Sequence, residues 1–314
     1  MTVITIPQKV WYTMRQSLCD LIKNTIVYEY SLPNNDKGFN RIHISTTDDD
    51  CYSVADTQNL AEIIYNAVLD YSYDEFNLTE DTFKALLVRA LKTKLKFNEN
   101  TTQENKIKYG FYGEVLLYSL LYKIYGANCL ISRGYFYNPL EYGETKGYDT
   151  YNIIENIETS ELELWFGEVK FYIKYDAAIK KVMENINKAL SNEYLERNIL
   201  ALVDFKDKVR NDKGKIKDIL TKWENNPEIK LIDELKNNNM ILVYPVCIIF
   251  DMENCTYDNC IQKVINHIKD KYPTINPQLT INYKLFFIFI PIQNAKQVKE
   301  HVLKWIEEKK PVLL

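Results

Sequence analysis

Histidine is nearly absent. Three occur in 314 residues, His43, His267 and His301, far apart in the chain, which argues against a multi-histidine metal site. Glycine is scarce as well: nine residues, none arranged as GxxxxGK[ST] or GxGxxG. Without a Walker loop or a dinucleotide fingerprint, the chain is not expected to bind ATP or NAD by those means. The six cysteines, Cys19, Cys51, Cys129, Cys247, Cys255 and Cys260, include no CxxC pair. Reduced thiols are therefore expected, not a zinc or redox centre. No apolar run reaches the ~20 residues of a spanning helix; the longest are Met240–Phe250 and Leu285–Ile292. The first ten residues contain Pro7 and lack the basic-then-apolar order of a secretory signal. These absences point to a cytoplasmic protein with no membrane segment.

Positive charge is not in excess either. The net charge is −4, and residues 1–100, with 10 Lys+Arg against 14 Asp+Glu, account for all of it. A free-standing nucleic-acid binder is often basic overall. Any such surface here must be local or be supplied by a partner. Two basic segments stand out: Lys84, Arg89, Lys92, Lys94 and Lys96, and Lys206, Lys208, Arg210, Lys213, Lys215 and Lys217. The second is interleaved with aspartates and the first ends a helix, where cations suit the dipole. Both read as solvated surface.

What is present is an ordinary globular balance, 46% hydrophobic and 26% charged, enough for one large domain or two modest ones. Periodicity and capping residues predict helices over Gln8–Asn24, Thr57–Tyr71, from Thr79 as N-cap to about Leu95, and over Glu104–Tyr125, Ala177–Leu195, Ile216–Trp223, Glu228–Lys236, Tyr257–Lys271 and Ala295–Glu308. Strands are predicted at Arg41–Ser45, Cys129–Phe136, Tyr148–Ile154, Leu162–Tyr172, Ile199–Asp204, Met240–Phe250 and Leu279–Pro291. The run Asp48–Asp50 reads as a solvated loop. The alternation gives an α/β or α+β class around a mixed sheet flanked by helices. The polar, turn-forming Phe97–Gln103 places a boundary between a mixed, helix-rich region 1–100 and the remainder, 101–314.

Polar residues on apolar faces carry the functional signal. In the 104–125 helix, Ile107, Phe111, Leu117, Leu121 and Ile124 define a buried stripe, and Glu114 falls within it. An unpaired carboxylate there is costly and calls for a cation or metal, or else it lies at the stripe's edge and pairs with a lysine. Gly110 and Gly113 beside it would let another backbone come close. The strand Leu162–Tyr172 is apolar on both faces, yet Glu168 and Lys170 share one of them. They make an ion pair or the ExK half of a metal-dependent nuclease site. Asp149 opens the preceding strand after the turn Lys146-Gly147, where it is either a turn residue or a second carboxylate brought beside ExK by a hairpin. Phosphodiester cleavage needs a divalent ion, which polarises the phosphate and lowers the pKa of a water. Magnesium takes oxygen ligands and usually one or two carboxylates. Asp149 and Glu168 would supply those, with the Val169 carbonyl nearby. Lys170 would position or deprotonate the water and offset charge, and Glu114 would hold a water or a second ion.

The order Glu (helix), Asp (strand), ExK (strand) is similar to the PD-(D/E)xK nuclease superfamily, although Tyr148 stands where its Pro would be. GFYGEVLLYSLL (110–121), KGYDTYNI (146–153) and ELWFGEVKFY (163–172) further resemble the core motifs of the HamA family, nuclease-like subunits of the Hachiman antiphage defence system, which includes AbpA-type relatives. The resemblance implies a restriction-endonuclease-like core in 101–314, and a region 1–100 for partner docking or regulation. It implies catalytic Glu114, Asp149, Glu168 and Lys170, with Asp149, Glu168 and Glu114 as ligands of Mg2+ or Mn2+. Lys146, Tyr172 and Lys174 are expected against DNA. The implied partner is a HamB-type superfamily 2 helicase that hydrolyses ATP, so this chain would bind no nucleotide, and the complex would degrade DNA on infection. The alternatives are a catalytically silent subunit that binds the helicase and clamps DNA, an RNA-cleaving nuclease, and a structural domain with a buried Glu–Lys pair.

Overall fold

The computed structural model describes residues 14–32, 49–73, 76–138, 140, 143–144, 147–156, 161–209, 215–252, 254–271, 275–311 and 313. Its strands are β1 (Ile26–Leu32), β2 (Asp49–Val54), β3 (Asn128–Cys129), β4 (Tyr137–Asn138), β5 (Gly143–Glu144), β6 (Thr150–Asn156), β7 (Glu161–Phe171), β8 (Met240–Asp251) and β9 (Tyr283–Ile292). β4 and β5 pair with each other. The rest form one mixed sheet in the order β1-β2-β9-β8-β7-β6-β3, with β7, β8, β9 and β2 parallel and β1, β6 and β3 joined antiparallel.

The helices are α1 (Gln16–Thr25), α2 (Thr57–Ser72), α3 (Glu80–Thr93), α4 (Gln103–Ile107), α5 (Phe111–Lys123), α6 (Tyr175–Ala189), α7 (Asn192–Leu200), α8 (Lys215–Asn225), α9 (Leu231–Asn237), α10 (Tyr257–Lys271) and α11 (Ala295–Glu308). Strand alternation divides them into two layers. Trp165, Val169 and Phe171 of β7 enter one core with α1, α2, α3, α5 and α11. Leu162, Leu164 and Phe166 enter another with α6 to α10. β8 is buried on both faces until Asp251, as an interior strand should be. The stretch before residue 100 adds β1 and β2 to this sheet and α1 to α3 to the core of α5 and α11. No described helix is long and apolar enough to cross a membrane.

Caps set several of these boundaries. Asp56 accepts from the Gln58 N–H (2.6 Å) to start α2, and Thr79 with Thr82 forms a capping box for α3. Several expectations are corrected. The helix over 104–125 is two helices, because Gly110 is a poor helix former, costing about 1 kcal/mol, and α5 sets off anew from it. α5 is then buried all round except at Glu114, Tyr122 and Lys123, so it has no single apolar stripe. Of the strand at Cys129–Phe136 only the start meets β6, Cys129 within β3 and Leu130 through its N–H to the Tyr151 carbonyl (2.8 Å); the Ser132 hydroxyl donates to the Tyr71 carbonyl (2.5 Å), and a 3-10 turn follows at Arg133–Phe136. The helix over 177–195 ends at Ala189, since Ser191 caps a new one, α7; that helix absorbs Ile199–Leu200, and the expected strand continues as a 3-10 turn, Val203–Lys208.

A last correction concerns the acidic run, in which Asp49 and Asp50 belong to β2. Asp49 is buried and accepts from the Phe287 N–H (2.7 Å), and Asp50 accepts from Ser31 (2.6 Å) and Tyr125 (2.7 Å) hydroxyls. Asp48 and the expected strand Arg41–Ser45 lie outside the described residues.

Candidate active site

β6 and β7 stop matching at one end, and the site sits there. β6 begins at Thr150, opposite Gly167, and the Asp149 N–H still reaches the Gly167 carbonyl at 2.9 Å. β7 runs on through Glu168–Phe171 against β8. This leaves the backbone of β7 open on its β6 side, at the carboxyl end of a parallel strand, where open α/β sheets place their ligands. The Asp149 carboxylate occupies that edge: Oδ2 accepts from the Val169 N–H at 2.8 Å, while Oδ1 has no hydrogen bond among the described residues.

Lys170 lies between the carboxylates. Its Nζ is 2.5 Å from Glu168 Oε1, 3.0 Å from the Val169 carbonyl oxygen and 3.8 Å from Asp149 Oδ2. One ammonium therefore serves two acids. Burial pushes the Glu168 carboxyl up to about 7; Asp149 pushes the same way, and Lys170 and Asn185 only partly oppose them. Burial alone would weaken the Lys170 ammonium, but Asp149 and Glu168 outweigh it and hold its pKa above the ordinary value.

Glu114 approaches from the opposite layer. It stands in the first turn of α5, where the helix dipole favours a carboxylate, and it accepts from the Tyr71 hydroxyl at 3.1 Å. Gly113 allows the close approach expected of it: a Cβ there would lie 3.1 and 3.2 Å from the Val169 methyls. Glu114, Asp149, Val169 and Lys170 line one cavity of about 380 Å³, together with Lys108, Lys296 and Lys299, and with Tyr172 and Ile173.

The expected residues thus fare differently. Glu114, Asp149 and Lys170 meet in the cavity, whereas Glu168 touches Lys170 but is not part of the cavity wall. Among the described residues no three acidic, histidine or cysteine side chains group tightly enough to hold a metal by themselves. Tyr172 is on the rim, 39% exposed. Lys174 is exposed at the start of α6 and does not line the cavity; Lys146 lies outside the described residues.

Lys299 is the residue that sequence reasoning missed. It is buried in α11, and its Nζ donates to the Phe171 carbonyl at 2.8 Å and lies 4.6 Å from the Phe171 ring centroid. Its signal was available: Ala295, Lys299, Val302 and Ile306 recur at helical spacing, so a lysine stands in an apolar stripe.

No curated protein matches the chain. The HamA family model matches residues 20–306, a span that holds every element from β1 to α10 and all but the last residues of α11. The chain therefore belongs to the HamA family and is a protein of Hachiman antiphage defence.

Proposed function

We propose that this chain is the Mg2+-dependent DNA nuclease effector of a Hachiman complex, acting with a HamB-type superfamily 2 helicase and degrading DNA on infection. The supporting observation is the charge arrangement at the open end of β7, where Asp149, Glu168 and the Val169 carbonyl converge on one cation, Lys170 Nζ. These are hard oxygen donors in the number magnesium prefers, and the ammonium stands in for an ion among them. Asp149, Glu168 and the Val169 carbonyl would hold the metal, with Glu114 placed for a water or a second ion; Mn2+ suits the same donors. Bound there, the ion would polarise the phosphate and lower the pKa of an attacking water.

The chain's own groups do the rest. The Val169 N–H fixes Asp149 to the strand. Lys170, held as an ammonium, offsets charge developing on the phosphate and orients the water, rather than deprotonating it. The cavity wall carries Lys108, Lys170, Lys296 and Lys299 against Glu114 and Asp149. That local positive surplus suits a polyanion in a chain that is acidic overall, and leaves most of the DNA grip to the helicase.

The test is cleavage of linear double-stranded DNA by the co-expressed complex in Mg2+ and ATP. Lys170→Ala should lower the rate by ~10²–10³ with the complex still assembled. Equal cutting by both would place the nuclease elsewhere. The second reading is a silent clamp, favoured by the 2.5 Å closure of Lys170 onto Glu168. It predicts DNA retention without cutting by either form; cutting of RNA alone would change the substrate class.

A further inference from the structure

We propose that Lys299 is a phosphate-holding residue of this cavity, gripping the nucleic-acid backbone from the layer opposite to Lys170. The inference rests on reading the cavity as a nucleic-acid site, and adds to it a contact outside the Asp149–Glu168–Lys170 cluster. The geometry supplies the argument. Lys299 is 8% exposed, and among the described residues its ammonium has one hydrogen bond, to the Phe171 carbonyl, and no carboxylate within ion-pair distance. An ammonium carries three donors. A buried cation with one neutral acceptor is costly to keep. The Phe171 and Tyr112 rings, at 4.6 and 5.6 Å, lower that cost through their π faces but add no negative charge. Burial accordingly pushes its pKa down to about 8, with Asp251 opposing.

The position supplies the ligand. Lys170 belongs to β7 and shares the face of Phe166 and Glu168, whereas Lys299 comes from α11 in the other layer. Both border the one cavity, at the end of the strand whose last carbonyl, that of Phe171, Lys299 already holds. A phosphodiester lying across this strand end would offer anionic oxygens to both ammoniums. It would give Lys299 an anionic oxygen at hydrogen-bond distance, which its described contacts do not. A purely structural lysine, tying α11 to β7, would need only the carbonyl.

The test measures binding apart from cutting. The co-expressed complex is titrated with a short fluorescent DNA duplex in EDTA over a range of salt, with this chain as wild type, Lys299→Met and Lys299→Arg. Lys299→Met keeps the apolar stem and removes the charge. It should weaken binding about tenfold at low salt and flatten the log–log salt slope by ~0.9, one phosphate's worth. Lys299→Arg should restore both. In the cleavage assay with Mg2+, Lys299→Met should raise KM and leave kcat within about twofold, since the contact is made in ground and transition states alike. An unchanged slope and KM in a folded Lys299→Met, or a loss that Lys299→Arg does not restore, overturns the assignment. DNA bound with the expected slopes but never cut would sink the nuclease reading and leave Lys299 as assigned. No DNA binding by wild type would overturn both.

Discussion

Arg15 and Lys170 are both largely buried cations paired with carboxylates, and exposure does not separate them: each side chain is 14% exposed. Their surroundings do. Arg15 meets one carboxylate, Asp70, at 2.9 and 3.2 Å, and spends its remaining donors on the carbonyls of Asn66 (2.5 Å) and Leu313. Asn66 in turn accepts from the Leu313 N–H at 2.8 Å. Among these contacts one cation faces one carboxylate, and they tie the start of α1 to α2 and to the residues after α11. Lys170 meets two carboxylates, and burial, with Asp149 adding to it, pushes the Glu168 carboxyl up to about 7 beside a cavity. A closed, balanced pair holds elements together. An open, unbalanced one is poised for another cation.

The comparison breaks most sharply at Asp70. Asp70→Ala leaves Arg15 buried without its counter-charge, a loss of about 3–5 kcal/mol. Urea unfolding should show the midpoint falling while any DNA cleavage persists at permissive temperature. Glu168→Ala, from a cluster with one acid too many, should cost far less stability and yet abolish cleavage. Similar stability losses from both would mean that the two pairs are alike and the β7 cluster is structural. A smaller effect comes from Asn198, on α7. Its Oδ1 accepts from the Tyr151 hydroxyl (2.5 Å) and the Tyr148 N–H (3.3 Å), and its Nδ2 donates to Tyr194. The network steadies Tyr148, just before Asp149, without carrying charge. Asn198→Ala should cost roughly 1–3 kcal/mol, read in the same urea titration, and should weaken Mg2+ stabilisation more than Asp70→Ala does.

Much of this was legible from residue pattern. α10 and α11 have the bounds that periodicity gives, and the alternation along β7 assigns its side chains to the two cores. The Asp149–Glu168–Lys170 convergence follows from a hairpin between β6 and β7, which local spacing can suggest. What failed depends on tertiary partners. Leu130, Ile131 and Phe136 are apolar enough for a strand, yet the Ser132–Tyr71 hydrogen bond holds that stretch in a turn against α2. Asp49 and Asp50 read as solvated because their acceptors are met by β9, Ser31 and Tyr125, remote in sequence or on another element. The spacing of α11 marks Lys299 as a lysine in an apolar stripe, but nothing in α11 says that the cavity of Glu114 and Asp149 lies beside it.

The smallest effect is a pH slope, and it sharpens the comparison by testing the Glu168 carboxyl directly. The Glu168 carboxyl ordinarily titrates near 4.5 and is held at about 7 in the fold. The folded state therefore binds this proton more tightly than the unfolded one. Its contribution to stability is complete below about 4.5 and is lost as pH rises through about 7. Glu168→Gln keeps the shape and cannot ionise, so this loss disappears. In metal-free thermal melts, wild type should lose more Tm than Glu168→Gln between these pH values. Adding Mg2+ above pH 7 should restore Tm in wild type and not in Glu168→Gln, since only an ionised carboxylate binds the ion. Parallel slopes in wild type and Glu168→Gln would mean that Glu168 does not titrate in this range, and that the cluster is as closed as the Arg15 pair.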